Sequence, residues 1–183
     1  RVLFRSEKKV ETQRKKLVFQ SLPVYDGLYV CNAETQYLEL SEKKIHSGEF
    51  IYNPLKNGFG QKKEKVLFYD DEEITSGLLP QISNADLKGL MLNLPGDISS
   101  AILFPLQMKK LGQTKLVNKV FKDVVRGDGL MITSGNVFIA GQPVDYKIKT
   151  VNESRRFFVC DRPLSPGFYV FKLNGHDWVF EIV

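Results

Sequence analysis

The clearest structural signal in the chain is its last stretch, Pro163-Leu-Ser-Pro-Gly-Phe-Tyr-Val-Phe-Lys-Leu-Asn-Gly-His-Asp-Trp-Val-Phe-Glu-Ile-Val183. Large apolar side chains alternate along both halves of it, which is the period of two expected of a β-strand with one buried face. Asn174-Gly175, between the halves, is a preferred two-residue hairpin loop, and a longer loop over Asn174–Asp177 is the alternative. Both registers bury the same aromatic face, so the stretch predicts a β-hairpin in the core of a sheet.

Trp178 is the only tryptophan of the chain, and the period of two places it on the same face as Phe180 and Ile182. Burying a large apolar side chain stabilises a fold by about 1.5–3 kcal/mol, so we predict that Trp178 is largely buried. The alternative is an exposed aromatic platform for a sugar or a partner protein. Tyr169 and Tyr29 would then be the further aromatic residues of such a binding surface.

A similar pattern occurs near the start of the chain, in Pro23-Val-Tyr-Asp-Gly27-Leu-Tyr29-Val30 and then Tyr37-Leu-Glu39-Leu40. The Pro, Gly, Tyr, Val and Glu of the final hairpin recur there in the same order. A repeated hairpin is one interpretation, and the common chemistry of turns and strands is the other. Two copies are too few for a solenoid or a propeller.

Between these hairpins, short apolar runs alternate with turn residues, which indicates a mainly β fold. We predict a small β module over 17–74, a connection over 75–86, and an antiparallel β-sandwich-like module over 87–183. At most one or two short helices are expected. The helix candidate is Lys115–Val125, where apolar residues recur at helical spacing.

The first six residues, Arg1-Val-Leu-Phe-Arg-Ser6, match the translation of a widely used sequencing adapter. We therefore expect a metagenomic chain whose native N-terminus is missing, with residues 7–16 as a polar linker or the end of a helix. Without Arg1 and Arg5, the formal net charge of +5 falls by two to about +3. A charge this small gives no specific signal for nucleic-acid binding.

Sites for metals, cofactors and nucleophilic catalysis have no recognisable motif in this sequence. It contains two cysteines, Cys31 and Cys160, and two histidines, His46 and His176, without CxxC, HxxxH or HExxH spacing. We therefore predict no metal ligands, no cofactor and no catalytic residues. Both cysteines end apolar strands, where buried structural thiols are common, although a disulfide is the alternative in an exported protein.

The order of Gly-x-Tyr-Val and Leu-Glu-Leu at the front, an apolar middle, and Pro-Leu-Ser-Pro-Gly-Phe-Tyr-Val-Phe at the end resembles a group of bacterial proteins. These are uncharacterised proteins, many of them exported, that end in a Pro-Gly-x-Tyr β-hairpin. The resemblance covers roughly residues 17–183. It implies an all-β protein of the bacterial periplasm or cell envelope, and it provides no catalytic residues to transfer.

Two classes of function remain. The first is a non-catalytic binding or structural β module with a protein or a saccharide as its partner, and the second is a hydrolase-like enzyme that uses Asp/Glu or Cys/His. A deep pocket with convergent polar groups would favour the enzyme, and a shallow surface with exposed aromatic residues would favour binding. No run approaches the roughly 18 apolar residues of a transmembrane helix, so no transmembrane segment is predicted in this chain.

Overall fold

The computed structural model describes residues 25–33, 36–52, 62–68, 79–116, 119–122, 124–133 and 135–183. These residues form β-strands and no helix, which confirms the predicted mainly β fold class. The strands in chain order are β1 (Gly27–Ala33), β2 (Gln36–Leu40), β3 (His46–Tyr52), β4 (Lys62–Phe68), β5 (Gln81–Ile82), β6 (Gly89–Asn93), β7 (Ile102–Leu111), β8 (Gln113–Leu116), β9 (Lys119–Lys122), β10 (Val124–Gly127), β11 (Leu130–Ile132), β12 (Gly135–Ala140), β13 (Tyr146–Thr150), β14 (Arg155–Cys160), β15 (Gly167–Leu173) and β16 (His176–Ile182).

The strands of the described residues are arranged in two large sheets and one small one. The five-stranded sheet has the order β13-β14-β6-β1-β2, and the nine-stranded sheet has the order β11-β10-β3-β4-β12-β7-β15-β16-β5. Strands β8 and β9 form a separate two-stranded sheet. Neighbours pair antiparallel, except that β5 runs parallel to β16.

The main core lies between the two large sheets. Alternate side chains of the five-stranded sheet, such as Leu28, Leu90 and Phe158, pack in one cluster with Phe171 and Phe180 of the nine-stranded sheet. This face-to-face packing is that of a β-sandwich. The other side of the five-stranded sheet, called the outer face below, carries the intervening residues, with a second cluster formed by Tyr29, Cys31, Tyr37 and Met91.

The final hairpin is formed as the sequence predicts. Leu173 pairs with His176, so Asn174 and Gly175 alone make the loop. Both loop residues have positive φ, 47° and 87°, which is the conformation of a type I′ turn. Along the strands, Phe171 lies directly opposite Trp178, and the alternate residues of both strands join the main core.

The predicted helix over Lys115–Val125 is wrong. The described residues of this segment belong to β8, β9 and the start of β10 instead. Its apolar residues are mainly Val and Phe, which fit the half-buried surface of a sheet better than the crowded surface of a helix. Spacing alone does not separate the two structures in a segment this short.

The division predicted at 75–86 does not separate one sheet from another. Strands β1 and β2 precede it but share the five-stranded sheet with β6, β13 and β14, which follow it. Strands β3 and β4 likewise lie in the nine-stranded sheet among β7, β10 and β12. Residues 1–24, which include the adapter match and the predicted linker, lie outside the described residues.

The two hairpins that share the Gly-x-Tyr-Val pattern differ in register. Tyr29 lies opposite Glu39, whereas Tyr169 lies opposite Phe180 and Glu181 pairs with Phe168. The glutamate of the second strand thus lies opposite the tyrosine in the first hairpin, but opposite the residue before the tyrosine in the final hairpin. Tyr29 shares the outer face of its sheet with Glu39, whereas Tyr169 lies in the main core with Phe180.

Candidate functional site

The three aromatic residues considered for a binding surface are all buried. Tyr29, Tyr169 and Trp178 are 4%, 5% and 3% exposed. Tyr169 and Trp178 belong to the main core, while Tyr29 lies on the opposite side of the five-stranded sheet. The structure therefore does not bring the three together, and it contradicts the alternative of an exposed platform at Trp178.

Trp178 is enclosed by neighbours on both strands of its hairpin. Its ring lies 6.1 Å from the ring of Phe171 and 5.6 Å from that of His176, which is stacked at 20°. His176 Nδ1 is 3.1 Å from a carboxylate oxygen of Glu42. The burial predicted for Trp178 is thus confirmed, and its role is in packing.

An exposed aromatic residue does occur at one end of the five-stranded sheet. Tyr25 lies two residues before the start of β1, and it is the most exposed of the large apolar and aromatic residues in the described part of the chain, at 72%. At the same end, Gly27, Asn93 and Arg155 lie side by side across three neighbouring strands. The end of the sheet thus combines an exposed ring with polar side chains from distant segments.

Two partly buried hydrogen bonds fix the backbone of Tyr25. Its carbonyl oxygen accepts one bond from the Tyr29 hydroxyl and one from Asn93 Nδ2, each of 2.8 Å. Asn93 is only 8% exposed, and its Oδ1 accepts a bond of 3.3 Å from Arg155 Nε. Buried amides need such partners because an unsatisfied polar group is costly. The network therefore holds the backbone of the exposed residue in a defined position.

The charges around this network are mixed. Burial raises the pKa of the Tyr29 hydroxyl, and the nearby carboxylates of Glu39 and Asp26 raise it further. At Gly27, the position that a Cβ would occupy lies 3.7 Å from the Tyr29 ring and 3.8 Å from a carboxylate oxygen of Glu39. The network thus has the carboxylates of Asp26 and Glu39 near its Tyr29 hydroxyl, and the Arg155 guanidinium beside its Asn93 amide. We call Tyr25, Asp26, Glu39, Asn93 and Arg155 the Tyr25 surface.

Sequence reasoning missed the Tyr25 surface. The turn Tyr25-Asp26-Gly27 carried a usable signal, because an aromatic residue just before an Asp-Gly turn is placed where the chain enters a strand from solvent. Asn93 and Arg155 carried no such signal. Their proximity depends on the order of the strands in the sheet.

The cysteines do not form a nucleophilic or disulfide site. Cys31 and Cys160 are both free thiols, and they lie on opposite faces of the five-stranded sheet. Burial raises the pKa of the Cys31 thiol to about 12, and burial followed by the charge of Asp161 raises that of Cys160. Both thiols therefore stay protonated at neutral pH, and the reactive species of cysteine catalysis is the thiolate.

His46 is buried, at 6% exposure, but its contacts are those of a structural residue. Its ring stacks on Phe68 at 5.4 Å, and Nδ1 lies 3.2 Å from Asp128 Oδ2, which also accepts a bond of 3.3 Å from the Ser47 amide. Asp128 is part of the β10–β11 turn and has a φ of 48°. The pair therefore anchors this turn against the start of β3.

The sequence Arg126-Gly127-Asp128 is an adhesion tripeptide, and it lies where β10 runs into the β10–β11 turn. The turn joins two strands, because β10 precedes it directly and β11 follows it, and it is not the helix-to-strand turn that the predicted helix over Lys115–Val125 would imply. Asp128 is engaged by His46 and Ser47 within the protein. The tripeptide is therefore explained by the packing of this turn.

Asp177 is a buried carboxylate at the start of β16, with 5% exposure. Oδ2 accepts a bond of 3.1 Å from the Ile45 amide, and the backbone carbonyl accepts one of 2.7 Å from the Lys43 amide. Oδ1 lies 3.0 Å from Lys172 Nζ, although not in a hydrogen-bonding direction. These contacts fasten the segment between β2 and β3, which passes from one sheet to the other.

Among the described residues, no group of three or more His, Cys, Asp or Glu side chains is placed to hold a metal ion. In the same part of the chain, no helix has the length and apolar character needed to cross a membrane. Comparison with known protein families, curated proteins and solved structures found no match to this chain.

Proposed function

We propose that this protein is a non-catalytic binding module that recognises a saccharide through the Tyr25 surface. The observation that carries the proposal is the combination of a largely exposed ring with a rigidly held backbone. Tyr25 is 72% exposed, yet its carbonyl oxygen accepts two hydrogen bonds from buried side chains. A backbone fixed in this way loses little further conformational entropy when a ligand contacts the residue.

The chemistry of the surface fits a saccharide. A tyrosine ring offers an apolar face with a polar hydroxyl at its rim, which matches the alternating apolar and hydroxyl surfaces of a pyranose. Each sugar hydroxyl is a donor and an acceptor at once. The carboxylates of Asp26 and Glu39 supply acceptors, and the Arg155 guanidinium supplies donors.

Affinity electrophoresis through gels that contain soluble polysaccharides tests this proposal. We expect at least one polysaccharide to retard the protein, Tyr25→Ala to abolish the retardation, and Tyr25→Phe to retain most of it. Met131→Ala is the matched control, because Met131 is 62% exposed on a different sheet. Retardation that is equal for wild type and Tyr25→Ala would place any sugar site elsewhere.

The proposal extends to a location in the bacterial periplasm or cell envelope, which rests on the resemblance of the Pro-Leu-Ser-Pro-Gly-Phe-Tyr-Val-Phe stretch to exported proteins. Saccharides are abundant in that compartment, so this location is compatible with a saccharide ligand. Fractionation of bacterial cells that carry the full-length gene, followed by detection with an antibody against the protein, tests it. Recovery in the cytoplasmic fraction alone would contradict it.

A further inference from the structure

Strand β13 is the terminal strand of the five-stranded sheet. Among the described residues, it pairs with β14 on one side and with no strand on the other. At the opposite edge of the sheet, Glu42, just after β2, forms a bridge with Trp178 of the nine-stranded sheet. At the β13 edge, contacts with the segment around the start of β7 occur only where β13 begins: the Val144 amide donates to the Leu103 carbonyl oxygen at 2.8 Å, and the Tyr146 hydroxyl donates to the Ala101 carbonyl oxygen at 2.6 Å. The rest of this edge, along residues 147–150, pairs with no second strand in the part of the chain that is described.

The hydrogen bonds flanking β13 show which residues direct their backbone groups to this edge. The Val151 amide donates to the Arg155 carbonyl at 2.9 Å, and the Asp161 amide donates to the Asp145 carbonyl at 3.2 Å. These are hydrogen-bonded pairs, and such pairs alternate along an antiparallel ladder. Residues 147 and 149 therefore bond toward β14, while the N–H and C=O groups of residues 146, 148 and 150 point to the open edge.

Side chains on β13 differ between its two faces. Lys147 and Lys149 lie on the outer face, and Tyr146 and Ile148 lie on the core side. The Tyr146 ring packs edge-on against Phe158 of the main core at 5.1 Å, while Ile148 remains 46% exposed. The open edge thus presents two cations on one face and an incompletely covered apolar side chain on the other.

The lysines oppose pairing of this edge with a second copy of the chain. Antiparallel self-pairing centred on residue 147, 148 or 149 sets a lysine opposite a lysine, and like charges directly opposite destabilise a sheet. Lysines on edge strands commonly prevent aggregation in this way. The same two charges favour a strand that carries carboxylates at the facing positions.

We propose that the β13 edge accepts an extended segment of a partner protein in which acidic side chains alternate with apolar ones. The segment adds a sixth strand to the sheet and bonds to the backbone of residues 146, 148 and 150. Its carboxylates face Lys147 and Lys149, and its apolar side chains cover Ile148. Lys147 Nζ lies 3.1 Å from Asp161 Oδ1, but this ion pair is exposed and exchanges easily for another. The strand shares no residue with the Tyr25 surface.

A synthetic peptide of about nine residues that alternates Glu and Val, carrying a fluorescent label, is a suitable probe for anisotropy titration. We expect saturable binding, and about tenfold or weaker binding when Lys replaces Glu in the peptide. Ile148→Pro should weaken binding of the acidic peptide by about tenfold or more, because proline removes the N–H that points to the open edge. The β13–β14 ladder does not use that N–H, so folding should be retained.

The double variant Lys147→Glu/Lys149→Glu tests the proposal without any change to the backbone, including the case in which Ile148→Pro fails to fold. It should reverse the preference, so that the Lys-Val peptide binds about tenfold more tightly than the Glu-Val peptide. Absence of binding by the acidic peptide to wild type would overturn the proposal. So would equal affinity for the two peptides, or unchanged binding to a folded Ile148→Pro variant.

Discussion

Tyr29 and Tyr169 form the same local hydrogen bond at the starts of two different hairpins. Each hydroxyl donates to the carbonyl oxygen four residues earlier, from Tyr29 to Tyr25 at 2.8 Å and from Tyr169 to Ser165 at 2.9 Å. The Gly-x-Tyr pattern thus produces the same entry into a strand twice. This holds although one tyrosine is on the outer face of its sheet and the other is in the main core.

Removing either hydroxyl should destabilise the protein. We expect Tyr169→Phe to lower the free energy of unfolding by about 1 kcal/mol, the usual net value of one hydrogen bond. Tyr29→Phe should lower it by less, because the Tyr25 carbonyl keeps its bond from Asn93. Chemical denaturation measures both, with Tyr25→Phe as the control for an exposed hydroxyl. Equal stability of all three variants and wild type would show that these bonds contribute nothing.

Truncation of Trp178 should be among the most damaging single changes. Its side chain is 3% exposed and packs against Phe171 and His176, so Trp178→Ala should cost about 3–5 kcal/mol. Tyr25→Ala removes an aromatic side chain from the surface instead and should change stability by under about 0.5 kcal/mol. The midpoints of urea unfolding compare the two. A midpoint for Trp178→Ala equal to that of wild type would contradict the packing seen here.

The final hairpin could be predicted because all its determinants are local. The loop type follows from Asn174-Gly175, and the buried face follows from alternation in the adjoining strands. Together these features fix the register to within two alternatives before any tertiary contact is known. The same reasoning gave the mainly β class, since short apolar runs between turn residues recur along most of the chain.

Strand order and the Tyr25 surface could not be predicted because they depend on distant segments. Asn93 contacts Tyr25 across 68 positions of sequence, and Arg155 contacts Asn93 across 62. Periodicity gives the face of a strand but not its neighbour. The helix predicted at Lys115–Val125 is wrong for a related reason. A short segment can fit both the 3.6-residue period of a helix and the two-residue period of a strand, and pairing with a neighbouring strand decides which of the two forms.

The buried Cys31 thiol should make the protein less stable in alkali. Its folded pKa is raised from 9.0 to about 12, so above pH 9 the unfolded chain loses a proton that the native protein keeps. Unfolding is therefore favoured as pH rises from 9 toward 12. Between pH 8 and 10, this single group should lower the free energy of unfolding by about 1.4 kcal/mol.

Cys31→Ala isolates this contribution, since it removes the titrating thiol and little volume. Urea unfolding at pH 8 and at pH 10 should show that the free energy of unfolding falls less between these two pH values for the variant than for wild type. The three tyrosines with raised pKa, Tyr29, Tyr146 and Tyr169, are retained in both proteins, so their contributions cancel in the comparison. An equal fall in the free energy of unfolding for the two proteins would mean that water reaches the thiol and that burial does not raise its pKa.

The close packing of β10 on β3 gives a final prediction, at Gly127. A Cβ at this position would clash with the Ser47 carbonyl oxygen and would lie 2.5 Å from the Gly48 Cα. Both are backbone atoms of β3, so relief requires that the two strands separate. Separation would also pull Asp128 away from His46 and the Ser47 amide. We expect Gly127→Ala to cost about 3 kcal/mol or more, in the range of severe core overpacking.

Gly96→Ala is the matched control for this variant. Gly96 has a φ of 112° and no atom within 4 Å of the position of an added Cβ, so the substitution strains the backbone without a steric clash. It should therefore cost only about 1–2 kcal/mol. Hydrogen exchange gives a second measurement, because strand separation in Gly127→Ala should raise exchange of the Ser47 amide, while Gly96→Ala should leave it unchanged. A Gly127→Ala protein as stable as Gly96→Ala, with Ser47 still protected, would show that β10 is not pressed against β3.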